Sequence, residues 1–487
     1  MTADHRQDTS TRERQRRALR LACAIVATTI APGLSAQVLS LQRDPDSFVN
    51  QQRLVQEQLR PAFDAELTDT QRISFDYGGW YSLYYFQFDD GVNSSRTLRR
   101  HDLRRWARLA FGEGTHEFYV RVRLSLLDFN HGDSYDGNED DIEGTNLERG
   151  YYRFDLARAR AASGASPPET NVVLRAGRDL VQFGHGITLA TPLDHVSVTA
   201  TRDDFAISIL AGKTVGSGDD FDVSRIASRL RRTFLGGQIE YLGLERHRPF
   251  AYVLWQRDRH GDRNFRPFGR LAYDSFYAGV GSTGEIAPNL SYSIEGVYEG
   301  GTNSRPGPFA ADKRIDAWAF LAGLEHLSPG PNRGRISAEY QFGSGDSDRT
   351  TSPVSSFGGN RLDRVDSSFI GFGWRDTGLS FAPRQVNLHM GRAGASFFPF
   401  PDHATLSKLE VGSDWYLFHK HHRDGAVSDP TVRVASGYLG WEMDYYVNWQ
   451  VRSDLFWTAR LGVFFPGKAF DDRTTRTFLL LGMTWSF

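Results

Sequence analysis

From Ile73 to Phe487 the chain alternates apolar and polar side chains with a period of two, and no other feature restricts its fold as strongly. In FYVRVRLSL, Val120, Val122, Leu124 and Leu126 fall on one face of an extended strand, while Arg121, Arg123 and Ser125 fall on the other. ISFDYGG sets Ile73, Phe75 and Tyr77 against Ser74 and Asp76. NLSYSIEGVYE sets Leu290, Tyr292, Ile294 and Tyr298 against Ser291, Ser293, Glu295 and Glu299. In RISAEYQF, Ile336, Ala338, Tyr340 and Phe342 oppose Arg335, Ser337, Glu339 and Gln341. Ionised arginine and glutamate must be hydrated, so each segment separates a greasy surface from a wet one. About 18 such segments fit between Ile73 and the end, an even number within the range of single-chain membrane barrels. The expected fold class is all-β: one transmembrane antiparallel β-barrel over residues 73–487, with its hydrated face enclosed.

The linkers support one closed sheet rather than several domains. APN at 287–289 is short, whereas HGDSYDGNEDDIEGTN and GSGDSDRTTSPVSSFGGNRLD are long and polar, the alternation expected of periplasmic turns and outer loops. The final segment places Leu479, Leu481, Met483, Trp485 and Phe487 on one face and Gly482, Thr484 and Ser486 on the other. Trp485 and Phe487 thus form a lipid-facing, interfacial end that resembles the C-terminal signal read by the barrel-assembly machinery.

The N-terminus has a different pattern. LRLACAIVATTIAPGLSA follows Arg12, Arg14, Arg16 and Arg17, with small residues at Ser35 and Ala36, which fits a cleaved secretory signal over residues 1–36. Its Cys23 is the only cysteine, so the mature chain is expected to hold no disulfide. Residues 37–72 are polar, with a helical stretch DSFVNQQRLVQEQLRP that starts at Asp46 or Ser47 and stops at Pro61. This extension is expected in the periplasm or docked in the lumen, and it is too short for the plug of a TonB-dependent transporter. The localisation that follows is the outer membrane of a Gram-negative bacterium, with outer-membrane lipid as the surrounding partner. A net charge of −2 gives no field that would favour nucleic acid.

LGWEMDYYVNWQVRSDLFWTARLGVFFPGKAF, residues 439–470, contains Gly440, the spaced acidic pair Glu442 and Asp444, and the turn Phe464-Phe465-Pro466-Gly467. VLRAGRDLVQFGHG, with Gly177-Arg178 and Gly184, and AEYQFGSGD at 338–346 add two further segments in the same order. Together these resemble the bacterial alginate-export family from roughly residue 70 onward. The resemblance implies an outer-membrane barrel of about 18 strands whose members include an exporter of an acidic polysaccharide. Asp179 stands where the family often has a neutral amide, and His185 follows Gly184; both departures bear on the substrate more than on the fold.

A polyuronate carries one carboxylate per sugar, so its passage needs fixed cations spaced along a wet wall. Strand parity turns Arg121, Arg123, Arg153, Arg175, Arg335 and Arg460 inward as pore-lining, anion-binding candidates, and guanidinium stays charged and forks onto carboxylates. The competing reading pairs these arginines with Glu240, Glu295, Glu339, Glu442 and Asp444 in a ladder that stiffens the barrel; Glu442 and Asp444 are assigned to that structural pairing and not to catalysis. Arg178 falls outward by parity unless a bulge intervenes. The acidic loop at Asp133, Asp136, Glu139, Asp140 and Asp141 has no EF-hand spacing and reads as solvated surface rather than a calcium site. His419 to His422 are neighbours along an extended chain and do not converge on a metal. No serine or histidine constellation of trustworthy spacing is present, and no metal, cofactor or enzymatic activity is expected. The reading is a passive outer-membrane pore for an anionic polysaccharide or similar hydrophilic solute, with periplasmic scaffold proteins as further candidate partners. Its rivals are a general or substrate-specific uptake porin, and a surface adhesin or receptor barrel with a plugged lumen.

Overall fold

The structure, a computed structural model, describes residues 73–91, 95–130, 140–215, 231–259, 273–303, 313–349, 352–353 and 365–487. The expected signal segment, Cys23, the 37–72 extension and the loop acids Asp133, Asp136 and Glu139 lie outside the described residues.

Within them the alternating segments form strands β1 (Ile73–Asp89), β2 (Arg96–Phe111), β3 (His116–Phe129), β4 (Asp141–Asp155) and β5 (Thr170–Phe183). There follow β6 (Leu189–Arg202), β7 (Phe205–Thr214), β8 (Arg232–Tyr241), β9 (His247–Asp258), β10 (Tyr273–Ala287), β11 (Leu290–Asn303) and β12 (Lys313–Leu327). The remainder are β13 (Arg335–Gly343), β14 (Val365–Asp366), β15 (Leu388–Phe397), β16 (Leu409–His419), β17 (Tyr438–Gln450), β18 (Leu455–Pro466) and β19 (Arg476–Ser486). One short helix, α1 (Leu156–Ala162), is capped by Asp155, whose carboxylate accepts from the Ala157 and Arg158 amides.

All strands but β14 form the wall, an 18-stranded antiparallel barrel closed by β19 pairing with β1 from Trp80↔Ser486 to Asp89↔Thr477. Phe487 completes the closure, exchanging two 2.9 Å backbone hydrogen bonds with Gly79. Closure leaves no free sheet edge, the condition for burying a backbone in lipid. The outward faces follow the parity of the sequence: Val120, Val280, Ile294, Leu481, Trp457 and Trp485 are all exposed.

The regular ladder breaks at two places, and both shape the lumen. In the β3/β4 ladder Arg121 pairs with Arg149 and Val122 with Leu147, so Glu148 is an extra, bulged residue. The bulge turns Glu148 into the interior, where its side chain is 7% exposed. Above this point β4 departs from β5, since their pairing covers only Gly150↔Arg178 to Asp155↔Val173. Side chains bridge the seam instead. Arg149 reaches Asp179 at 2.5 Å on the inside, and Arg178, which points outward, donates to the Leu147 carbonyl at 2.9 Å and grips Asp194 at 2.7 Å.

The stretch between β13 and β15, expected as an outer loop, folds inward where it is described. β14 pairs in parallel with β12, Arg349 bonds Asp366 at 2.5 Å inside the barrel, and Phe372 meets Leu189 beyond the β5–β6 turn. Phe369, Ile370 and Val386 join a buried apolar cluster with Tyr277, Ile315 and Leu321 on the β10–β12 wall, and Phe381 joins another with Phe418 and Phe464. The end of the acidic linker also differs from expectation: Asp141 to Asn146 belong to β4.

Candidate functional site

The inward segment is fastened to the wall by carboxylates that accept backbone N–H groups. Glu442 on β17 takes the amides of Leu379, Ser380 and Phe381 at 2.7, 2.6 and 2.9 Å. Asp444, two residues on, accepts the Leu379 amide at 3.1 Å. Gly378 enters this nest with φ +96°, and a Cβ there would stand 2.9 Å from the Glu442 carboxylate, so only glycine fits. On β11, Glu299 accepts the Ile370 amide and the hydroxyls of Tyr273 and Tyr277, while Glu295 accepts the His185 amide of the β5–β6 turn and the Tyr252 hydroxyl. These contacts cover the β10–β19 half of the lumen with the inward segment, and part of β8–β11 with the β5–β6 turn. Leu379 also packs against the buried Tyr84, Phe86, Phe88 and Leu98 at one end of β1 and β2; among the described residues, the wall that these contacts leave is the rest of β1–β5.

That bare wall is rich in arginine. Arg100, Arg104, Arg121 and Arg123 form one network with Asp102, Glu143 and Glu148: Arg100 and Arg104 hold Asp102 at 3.0 and 3.1 Å, and Glu148 is shared by Arg104, Arg121 and Arg123. Beside it, Arg149 and Arg175 share Asp179 at 2.5 and 2.6 Å. Among the described residues, these six guanidiniums are interlocked with Asp102, Glu143, Glu148 and Asp179 across β2–β5. Arg100, Arg104 and Arg121 are buried within this network, whereas the Arg149 and Arg175 side chains keep 21% and 36% exposure at its edge. Aromatic rings lie among them: Arg121 and Arg104 stand 5.5 and 5.9 Å from the Trp80 ring, and Arg175 stands 4.6 Å from Tyr151.

The sequence candidates divide accordingly. Arg121, Arg123, Arg153 and Arg175 lie together on this wall, with Arg153 held by Asp155 at 2.7 Å. Arg335 is elsewhere, on β13, 3.4 Å from Glu325, and Arg460 stands over the Tyr446 ring on β17 and β18 at 5.6 Å. The acidic residues proposed to pair with these arginines do not do so in the contacts described here. Glu295, Glu442 and Asp444 hold backbone amides, Glu240 accepts the Gln238 side-chain amide at 2.6 Å, and Glu339 holds Arg375 of the inward segment. The reason is geometric: inward loops bring unpaired N–H groups that must be satisfied, and a buried carboxylate accepts several at once. Trp485 and Phe487 face outward, their rings 5.4 Å apart, with the Arg105 guanidinium 4.2 Å from Phe487.

Arg100, Arg104, Arg149 and Glu148 were missed by sequence reasoning. RTLRRHDLRRWARLAF carries Arg100, Asp102, Arg104 and Arg108 on one face, interrupted only by Trp106, which was a usable signal, but Arg99, His101 and Arg105 on the other face blur the contrast. Of the histidine run, His421 and His422 pack with ring centres 4.2 Å apart, and His389 from β15 lies 5.6 Å from His421.

A closed antiparallel wall with an apolar exterior and a charged, hydrated interior defines an outer-membrane channel. The description "Alginate export" belongs to the family model that matches residues 222–481, more than half of the sequence, and the chain belongs to that family. Solved structures similar to it include Pseudomonas aeruginosa OccK5 (OpdH), at 12% identity and TM-score 0.52 over 85% of this chain and 98% of that one. The outer membrane protein opdK of the same organism has 10% identity and TM-score 0.51 over 85% and 99%. These likenesses establish the fold. Comparison with curated proteins gives no match.

Proposed function

We propose that the protein is a passive pore for an anionic polysaccharide or similar hydrophilic solute, of the type implied by its family's description. The observation that carries this reading is the arginine-rich network inside β2–β5, at whose edge Arg149 and Arg175 stay part-exposed. A polyuronate would exchange one weak carboxylate contact for the next along that wall, because each arginine is already tethered to a fixed carboxylate and cannot close fully around the cargo. Export is then set by which side supplies polymer, since a passive pore has no direction of its own. The N-terminal segment would act as the signal for secretion, and Trp485 with Phe487 as the assembly signal.

Planar-bilayer recording tests the reading. An anion-selective current that an oligomannuronate blocks is expected; a cation-selective current indifferent to the oligomer overturns it.

A further inference from the structure

Polysaccharide passage needs more than charge, because the bulk of a pyranose is its ring. The carboxylate sits at the ring's edge, while each face presents axial C–H groups of slight positive charge. Such faces lie well on aromatic surfaces, whose π-clouds are negative. The bare wall of this barrel carries a surface of that kind.

Trp106 on β2, Tyr119 on β3 and Tyr151 on β4 share the inward parity of their strands and are half-buried. Tyr119 and Tyr151 are direct cross-strand partners, with ring centres 5.4 Å apart and planes within 21°. Trp106 continues the series at 6.2 Å and 16° from Tyr119. The two flanks of the ribbon are glycines: Trp106 is opposite Gly78 on β1, and Tyr151 is opposite Gly177 on β5. Gly78 makes room for the indole, since a Cβ there would lie 3.2 Å from it. Arg149 stands 5.8 Å from the Tyr119 ring and Arg175 stands 4.6 Å from Tyr151, so cations border the rings. Barrel strands are tilted, so a ribbon running from strand to strand climbs obliquely along the pore.

We infer that Trp106, Tyr119 and Tyr151 form a binding track for pyranose rings, charged or neutral, with Arg149 and Arg175 placed to meet groups at the ring edge. This deepens the proposed function and rests on it for the charged polymer alone, because stacking is indifferent to net charge. The track serves a different purpose from the arginines: it holds the sugar ring itself and favours carbohydrate over other anions.

The test is single-channel recording with three probes, a hexameric oligomannuronate, maltohexaose and polyglutamate, on the wild type and on Tyr119→Ala, Trp106→Ala and Tyr119→Phe. Folding of each is checked by its resistance to SDS before heating. Loss of one stacking partner shortens the dwell time of both saccharides about three- to tenfold, leaves polyglutamate blockade unchanged, and is rescued in Tyr119→Phe. Equal saccharide dwell times in wild type and Tyr119→Ala overturn the track, as does an equal loss for polyglutamate. If oligomannuronate fails to block the wild type while maltohexaose blocks it in a ring-dependent way, the polyanion reading falls and the track stands. If oligomannuronate blocks all variants equally, the track falls and the polyanion reading stands.

Discussion

Arginines of the same chemical type do different work here according to how their charge is shared. Glu148 lies under Arg104, Arg121 and Arg123, and its side chain is nearly enclosed. Removing it with Glu148→Ala leaves three crowded cations without their common acceptor, and the expected cost is about 3–5 kcal/mol, as for breaking a buried ion pair. Arg175 is a contrast: its side chain is 36% exposed, and Asp179 keeps Arg149 when it is gone. Arg175→Ala is therefore expected to cost less than about 1 kcal/mol and to move the reversal potential toward cations. Denaturant unfolding measures the first effect and reversal potentials the second. A stable Glu148→Ala barrel, or an Arg175→Ala pore of unchanged selectivity, would show that charge on this wall is apportioned otherwise.

At the scale of elements, the decisive piece is the segment between β13 and β15, which has only the short β14 pairing with β12 as a ladder and is otherwise tied to β11 and β17 by carboxylates. Hydrogen bonds to an ionised acceptor are stronger than neutral ones, and Glu442 supplies three. Glu442→Ala should loosen docking of the segment by on the order of 2–4 kcal/mol, which appears as higher conductance with more open-channel noise while the wall stays folded. Conductance identical to the wild type would mean that the segment is held by its apolar contacts at Phe369, Ile370 and Phe381 instead. The β4–β5 seam follows similar logic, with Arg149 and Arg178 bridging strands where backbone pairing stops. Parity correctly placed Arg178 outward, yet gave no hint that its role was to cap a free carbonyl.

For the molecule as a whole, the wall separates lipid from water one residue at a time. Val280, at the middle of β10 and 64% exposed, faces lipid, and Thr283 on the same strand faces the lumen. Val280→Arg is expected to destabilise the barrel by about 2–4 kcal/mol and Thr283→Arg by far less, as read from unfolding in lipid vesicles. Similar costs for the two would contradict the assignment of faces from which every lumen residue is named.

Two-residue periodicity alone determined the class of fold, the approximate strand number and the side of the wall on which Arg121, Arg123, Arg153 and Arg175 lie, because in a strand the direction of a side chain depends only on its position in the count. Only the tertiary structure decided which charges meet. Glu148 reaches the lumen through a bulge that breaks the count, and Glu295 and Glu442 find amides that come from 110 residues and about 62 residues away along the chain. The Trp106–Tyr119–Tyr151 ribbon likewise exists only in cross-strand register, which brings together rings that the sequence keeps apart.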